Sequence, residues 1–395
     1  MEIEESSSHL EQMKYLNEAV GVPKNIIPVA KEVHRLLTSF VKEIPNPLKK
    51  YSGTYEDQDF VIASENNLKQ TIIKQVEFSY SPFVKPQPRK DICSCIGISM
   101  DREQRIEGNR IVSVGKKNCR RISIYTEICS NDCSQEQLVD CVLNYCTVPV
   151  IAHELKHKFD TDARRSIEFK QFLEYQAKAR ALMSNSDVLF IKAFHDFLFK
   201  SYFVSDIESS VHAVELAAEM SEKKIKKVEF YKFFRSSPIY QQLQDCKSYT
   251  FVSFVSNLHN DQDKIDNLLE INGFDSDLPD QQKVEEAIKL FTTELLNASE
   301  EYISSIAHDD NDQKQFIKDF AKSLKLHSTD PFVYFKKSCD AIAAKGEKVF
   351  KKIAKIYSLA ESVEPRIHCA FLVPPRRFDL SFADYYKRKQ KKPSW

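Results

Sequence analysis

Seven glycines serve a chain of 395 residues, at positions 21, 53, 97, 108, 115, 273 and 346. Glycine supplies the left-handed or closely approached backbone that phosphate-cradling loops need, because a Cβ would block it. A Walker loop requires G-x-x-x-x-G-K-[S/T], and a dinucleotide-binding turn requires G-x-G-x-x-G. None of the seven positions completes either pattern, so nucleotide chemistry of those two kinds is excluded. Charge narrows the field further. Lys plus Arg number 57 and Asp plus Glu number 57, and zero net charge argues against a protein whose main task is coating nucleic acid. A hydrophobic fraction of 42% in a chain of this length fits a folded protein of two or three domains with a sizeable core.

The amino-terminal run Met1-Glu2-Ile3-Glu4-Glu5, followed by Ser6-Ser7-Ser8, has neither the basic nor the apolar stretch of a secretory signal. No run of about 18 apolar residues is present to span a membrane. The expectation is a cytoplasmic protein, or one of a particle assembled in the cytoplasm, with reduced thiols. Seven of the ten cysteines (93, 95, 119, 129, 133, 141 and 146) crowd into one stretch, yet they lack the Cys-x2-Cys pairs of a structural zinc site.

Hydrophobic periodicity divides the chain. Residues 1–50 read as helical, with Val29, Val33, Leu36, Leu37, Phe40 and Ile44 at helical spacing. From about 58 to 130 the period shortens, and strands are expected over 59–63, 71–78, 94–100, 110–114 and 121–125. After Ser134 the pattern is helical, with helices expected over 135–146, 148–160, 164–183, 187–203, 206–222, 238–257, 261–271, 281–306, 311–325 and 332–358. The fold class expected is α+β and predominantly helical: a small mixed or antiparallel sheet, then helices. We divide it into an N-terminal helical segment (1–50), a domain of strands and first helices (51–225), a helical scaffold or docking region (226–363) and a tail (364–395). The tail carries Pro365, Pro374 and Pro375 and ends in Lys387-Arg388-Lys389-Gln390-Lys391-Lys392. A solvated tail is the simpler reading; contact with nucleic acid or an acidic partner is the alternative.

One segment carries chemistry: His153-Glu154-Leu155-Lys156-His157, an H-E-x-x-H pattern. On a helix, residues i and i+4 share a face, so His153 and His157 can bind one tetrahedral Zn²⁺. Glu154 then lies within reach of a metal-bound water and serves as general base. The apolar stretch Val148 to Ala152 suits a buried helix, with Pro149 tolerated in its first turn. Asp160 is placed to orient an imidazole. The preceding strands can offer an edge to an extended peptide substrate.

A third ligand has to come from elsewhere, because positions 160 and 163 are Asp and Ala and the longer H-E-x-x-H-x-x-G-x-x-H form is absent. Glu208, His212 and Glu215 fall at i, i+4 and i+7 of an expected helix. Glu208 is assigned as ligand with Glu215 in reserve, and His212 as a donor to a developing oxyanion. A competing reading is that Ser205-x-x-Glu208 is a capping box that only satisfies the helix start. Two aromatic segments are read as packing: Phe194-His195-Asp196-Phe197, and Phe230-Tyr231-Lys232-Phe233-Phe234 as core or interface.

Together the two segments resemble zinc metallopeptidases of the gluzincin type, and most closely the compact peptidases encoded by tailed phages. His153, Glu154, His157, Asp160, Glu208 and Glu215 match that arrangement as they stand, over residues 120–220. Asp206-Ile207 replaces the usual Pro before the ligand Glu, and Val211 a small residue after it. The resemblance implies a zincin-like domain, Zn²⁺ as cofactor, a protein or peptide substrate, and a virion-associated enzyme among other virion proteins. The alternative function is a structural or cargo protein of a viral particle that retains the zincin module without essential protease activity. A DNA-associated protease using the basic tail is a third reading.

Overall fold

A computed structural model describes residues 23, 25–46, 49–63, 70–82, 94–100, 103–107, 110–114, 121–128, 134–163, 166–183, 186–275, 277–306, 310–323 and 332–356. The basic tail lies outside these residues, as do the side chains of every clustered cysteine except Cys146. Among the described residues, no helix is long and apolar enough to cross a membrane.

Helix α1 (Ile26–Lys42) buries Ile26, Ile27, Ala30, Val33 and Leu37 along one stripe, the spacing an amphipathic helix needs to face a core. Strands β1 (Tyr51–Tyr55), β2 (Phe60–Ala63), β3 (Gln70–Ile73), β4 (Gln75–Pro82), β5 (Ser94–Met100), β6 (Glu103–Glu107), β7 (Arg110–Val114) and β8 (Arg121–Ile128) follow. Four make a mixed sheet in the order β1-β4-β8-β5, with β4 parallel to β8 and the other neighbours antiparallel. Strands β2 and β3 form a separate antiparallel pair. The expected 71–78 strand is therefore two strands. Thr71 and Ile73 are buried before Lys74, and Val76, Phe78 and Tyr80 after it, so the alternation slips by one residue and the chain changes sheets.

Helices α2 (Gln135–Tyr145) and α3 (Val148–Ala163) come next. The 164–183 segment, expected to be all helix, opens with strand β9 (Ser166–Glu168), which pairs with β7, before helix α4 (Phe169–Met183). The 187–203 segment divides at Ile191 into a 3₁₀ turn (Asp187–Phe190) and helix α5 (Lys192–Phe203). The 206–222 segment is likewise a 3₁₀ turn (Glu208–Ser210) followed by helix α6 (His212–Lys223). Helices α7 (Phe230–Ser236) and α8 (Pro238–Lys247) follow. The expected 238–257 helix breaks before α9 (Phe251–Asn260), because Thr250 and Ser253 form a reciprocal capping box there. Helices α10 (Gln262–Ile271), α11 (Asp280–Ile306), α12 (Asp310–Ser323) and α13 (Val333–Ile356) complete the set. The fold is predominantly helical α+β, as the periodicity implies.

Two hydrophobic cores organise these elements. The first joins α1, β2–β4, α3, α6, α7 and α8, and takes Val349, Phe350 and Ile353 from the end of α13. The second joins α4, α5 and α9–α12, and takes Phe335, Cys339 and Ile342 from the start of α13. Its centre is aromatic: Phe194 stacks on Phe291 at 4.7 Å, and Phe254 on Phe335 at 4.6 Å. Between its two ends α13 presses against α8 at Gly346, where a Cβ would lie 3.0 Å from Cys246 Cβ and 3.3 Å from the Lys247 amide. Phe230, Phe233 and Phe234 are buried in the first core, as expected for a packing segment. His195 is not a packing residue: its side chain is half exposed and lies parallel to Phe199 on the surface of α5.

Candidate metal centre

Helix α3 lies between α1 and α6 and buries Val148, Ile151, Ala152, Leu155 and Phe159. That stripe fixes its rotation and turns His153 and His157 to the opposite, partly open face. Their Nε2 atoms are 3.1 Å apart. Pro149, the second residue of the helix, costs no hydrogen bond, since amides of the first turn have no intrahelical partner.

Glu208 approaches from the 3₁₀ turn ahead of α6. Its Oε2 lies 3.3 Å from His153 Nε2 and its Oε1 3.1 Å from His157 Nε2. Among the described residues, these three form the one group of His, Cys, Asp or Glu side chains close enough to share a metal ion. The donor set and spacing fit zinc. Ligand bonds of about 2.0–2.1 Å in a tetrahedron place the donors about 3.3 Å apart. Exposure falls from 18% at His153 and 11% at His157 to 4% at Glu208, so all three groups are largely sheltered from solvent.

Both readings of Ser205-x-x-Glu208 hold in part. Ser205 Oγ accepts from the Glu208 amide at 3.2 Å, which is the capping half of the motif. The Glu208 carboxylate does not return to the Ser205 amide; it is turned to the imidazoles. Glu208, His212 and Glu215 do not share one continuous helix, because the backbone changes from 3₁₀ to α at Val211.

Glu215 is no third donor. Its Oε2 accepts from His153 Nδ1 at 3.1 Å, the support a carboxylate gives an imidazole that binds metal through Nε2. Asp160 was expected to play that part, and it does otherwise: it accepts from Lys156 Nζ at 2.5 Å and from Ser210 Oγ at 2.9 Å. His212 is no exposed oxyanion donor either. Its ring is 2% exposed and stacked 4.2 Å from Phe203, and its Nε2–H donates to the Phe203 carbonyl at 3.0 Å. Burial holds its pKa down, so the ring is neutral, and Nδ1 has no partner among the described residues.

Two tyrosines complete the group without any motif to announce them. Tyr175 OH donates to Glu208 Oε1 at 2.7 Å, and its ring stacks on Tyr202 at 5.3 Å. Burial, and then the Glu208 charge, pushes both phenols far above their ordinary range, so they stay protonated; the Glu154 carboxylate adds to the effect at Tyr202. His153, His157, Glu208 and Glu215 form an ion cluster. Burial opposes a charge on His153, but Glu208 and Glu215 outweigh it and raise the ring to about 10. Burial likewise works against the Glu208 carboxylate, and His153 and His157 outweigh it, holding the group well below the usual range. No family model, curated protein or solved structure matches the chain.

Proposed function

We propose that the chain is a zinc-dependent metallopeptidase, in which His153, His157 and Glu208 hold the ion and Glu154 is the general base. The observation that carries this reading is the convergence of two imidazole Nε2 atoms and one carboxylate at tetrahedral-edge separations of 3.1–3.3 Å. Zinc held there would acidify a water and polarise the scissile carbonyl. Glu154, next to His153 on the same helix, would be the base that takes a proton from a water at that ion and returns it to the leaving amine. Glu215, accepting from His153 Nδ1, would leave Nε2 to the ion. Tyr175, held protonated, gives its O–H to Glu208 and would steady that carboxylate toward the ion. The substrate class is polypeptide. The resemblance to tailed-phage peptidases extends the proposal to an enzyme associated with a virion and acting on viral or host proteins.

Elemental analysis and a peptide-library assay on the full chain test this. Wild type and Glu154→Gln should each carry one zinc per chain, and His153→Ala none. Cleavage should fall by about 10²–10⁴-fold in Glu154→Gln, the usual worth of a general base. A wild-type protein that takes up no zinc, or cleavage that survives Glu154→Gln, sinks the reading.

A further inference from the structure

The third donor is mounted on a three-residue 3₁₀ turn, not inside a helix. Such turns have poorer hydrogen-bond geometry than α-helices, and a ligand set works only when its supports hold it to within about half an ångström. Inside the turn, the Glu208 amide donates to Ser205 Oγ and the Ser209 amide to the Ser205 carbonyl at 2.8 Å. Those bonds shape the turn but do not fix its distance from α3. That distance is bridged by Ser210, whose hydroxyl proton is shared between Asp160 Oδ2 at 2.9 Å and the Ile207 carbonyl at 2.7 Å. Asp160 is itself held by the Lys156 ammonium, which is only 6% exposed. Lys156 and Asp160 are at i and i+4 of the helix that carries His153 and His157, so the network and both imidazoles move as one body.

We propose that Lys156, Asp160 and Ser210 form a positioning latch that sets the Glu208 turn at ligand distance from the two histidines. Asp160 then acts on metal binding through the turn and not through an imidazole. The inference rests on the zinc reading above and adds to it the residues that preorganise its third ligand.

Zinc affinity measured by chelator competition on the full chain tests the latch. Ser210→Ala leaves the Lys156–Asp160 pair intact and should weaken zinc binding about 10- to 100-fold, the usual effect of losing a group that orients a ligand. Ser210→Thr keeps the hydroxyl and should return affinity to within about twofold of wild type. Asp160→Ala should cost a similar factor, and the double variant no more than either single one, because both break one connection. The unfolding midpoint of metal-free Ser210→Ala should stay within a few degrees of wild type. Wild-type affinity in Ser210→Ala overturns the latch, as do losses that multiply in the double variant or a Thr variant that is not rescued. If Asp160→Ala does not fold, because Lys156 loses its carboxylate in a buried place, the Ala and Thr variants at 210 decide alone. Zinc binding lost in His153→Ala but indifferent to Ser210→Ala defeats the latch and spares the metal centre; a wild type without zinc defeats both.

Discussion

Both cores bury polar side chains, and the two sets bond in different ways. In the aromatic core, Thr292 and Ser299 return their hydroxyls to carbonyls one turn back on their own helix, and Asp261 accepts the Ala193 amide at the start of α5. Each of these polar groups meets a backbone partner. Beside the first core, Glu208, Tyr175 and Glu215 bond to side chains on other elements. Side-chain networks of that kind are expensive to leave half satisfied, and here they meet around His153 and His157.

Three experiments can break or sharpen that contrast. The largest effect is expected from Phe335→Ala at the centre of the aromatic core: about 3–5 kcal/mol of stability lost in denaturant unfolding, with zinc affinity of the folded fraction unchanged. A lower affinity would mean that the cores are not separable in function. Next is Tyr175→Phe, which removes a bond to a charged carboxylate worth about 1.5–3 kcal/mol. Zinc affinity should fall about tenfold or more while the second core, probed by near-ultraviolet circular dichroism, stays as it was. The smallest is a pH trend in the metal-free protein. His153 titrates near 10 when folded and near 6.5 when unfolded. Its stabilising effect is complete below about pH 6.5 and is lost as pH rises toward 10. Urea unfolding should therefore show stability falling between pH 7 and 9 by less than about 1.4 kcal/mol per unit. Stability that rises over this range would rule out the ion cluster.

The helical bulk and both histidines were legible because their signals are local: 3.6-residue periodicity, and an i, i+4 pair that needs only one helix. Glu208 was half legible. The same Ser205-x-x-Glu208 letters encode a cap, and the structure uses the serine for the cap and the carboxylate for the site. The roles of Asp160, Glu215 and His212 were misassigned, because which imidazole nitrogen meets which partner depends on how α3 and α6 pack. Tyr175 and Tyr202, 27 residues apart, meet only through the packing of α4 on α5, and no spacing rule reaches that far. The phase slip at Lys74 hid because Ile72, Ile73, Val76 and Phe78 read together as one strand-like stretch, and β9 was too short at three residues to register against a helical background.

Helix α13 has a consequence for how the molecule comes apart. Phe335, Cys339 and Ile342 belong to one core and Val349, Phe350 and Ile353 to the other, with Gly346 seated against α8 between them. A single rod anchored in both halves couples their melting, so neither can fray far without loosening the other's packing. The boundary drawn near residue 225 is thus not a seam along which the chain would part. A protease nick inside α13 would be felt at the histidines and at the aromatic stack alike, although it touches neither.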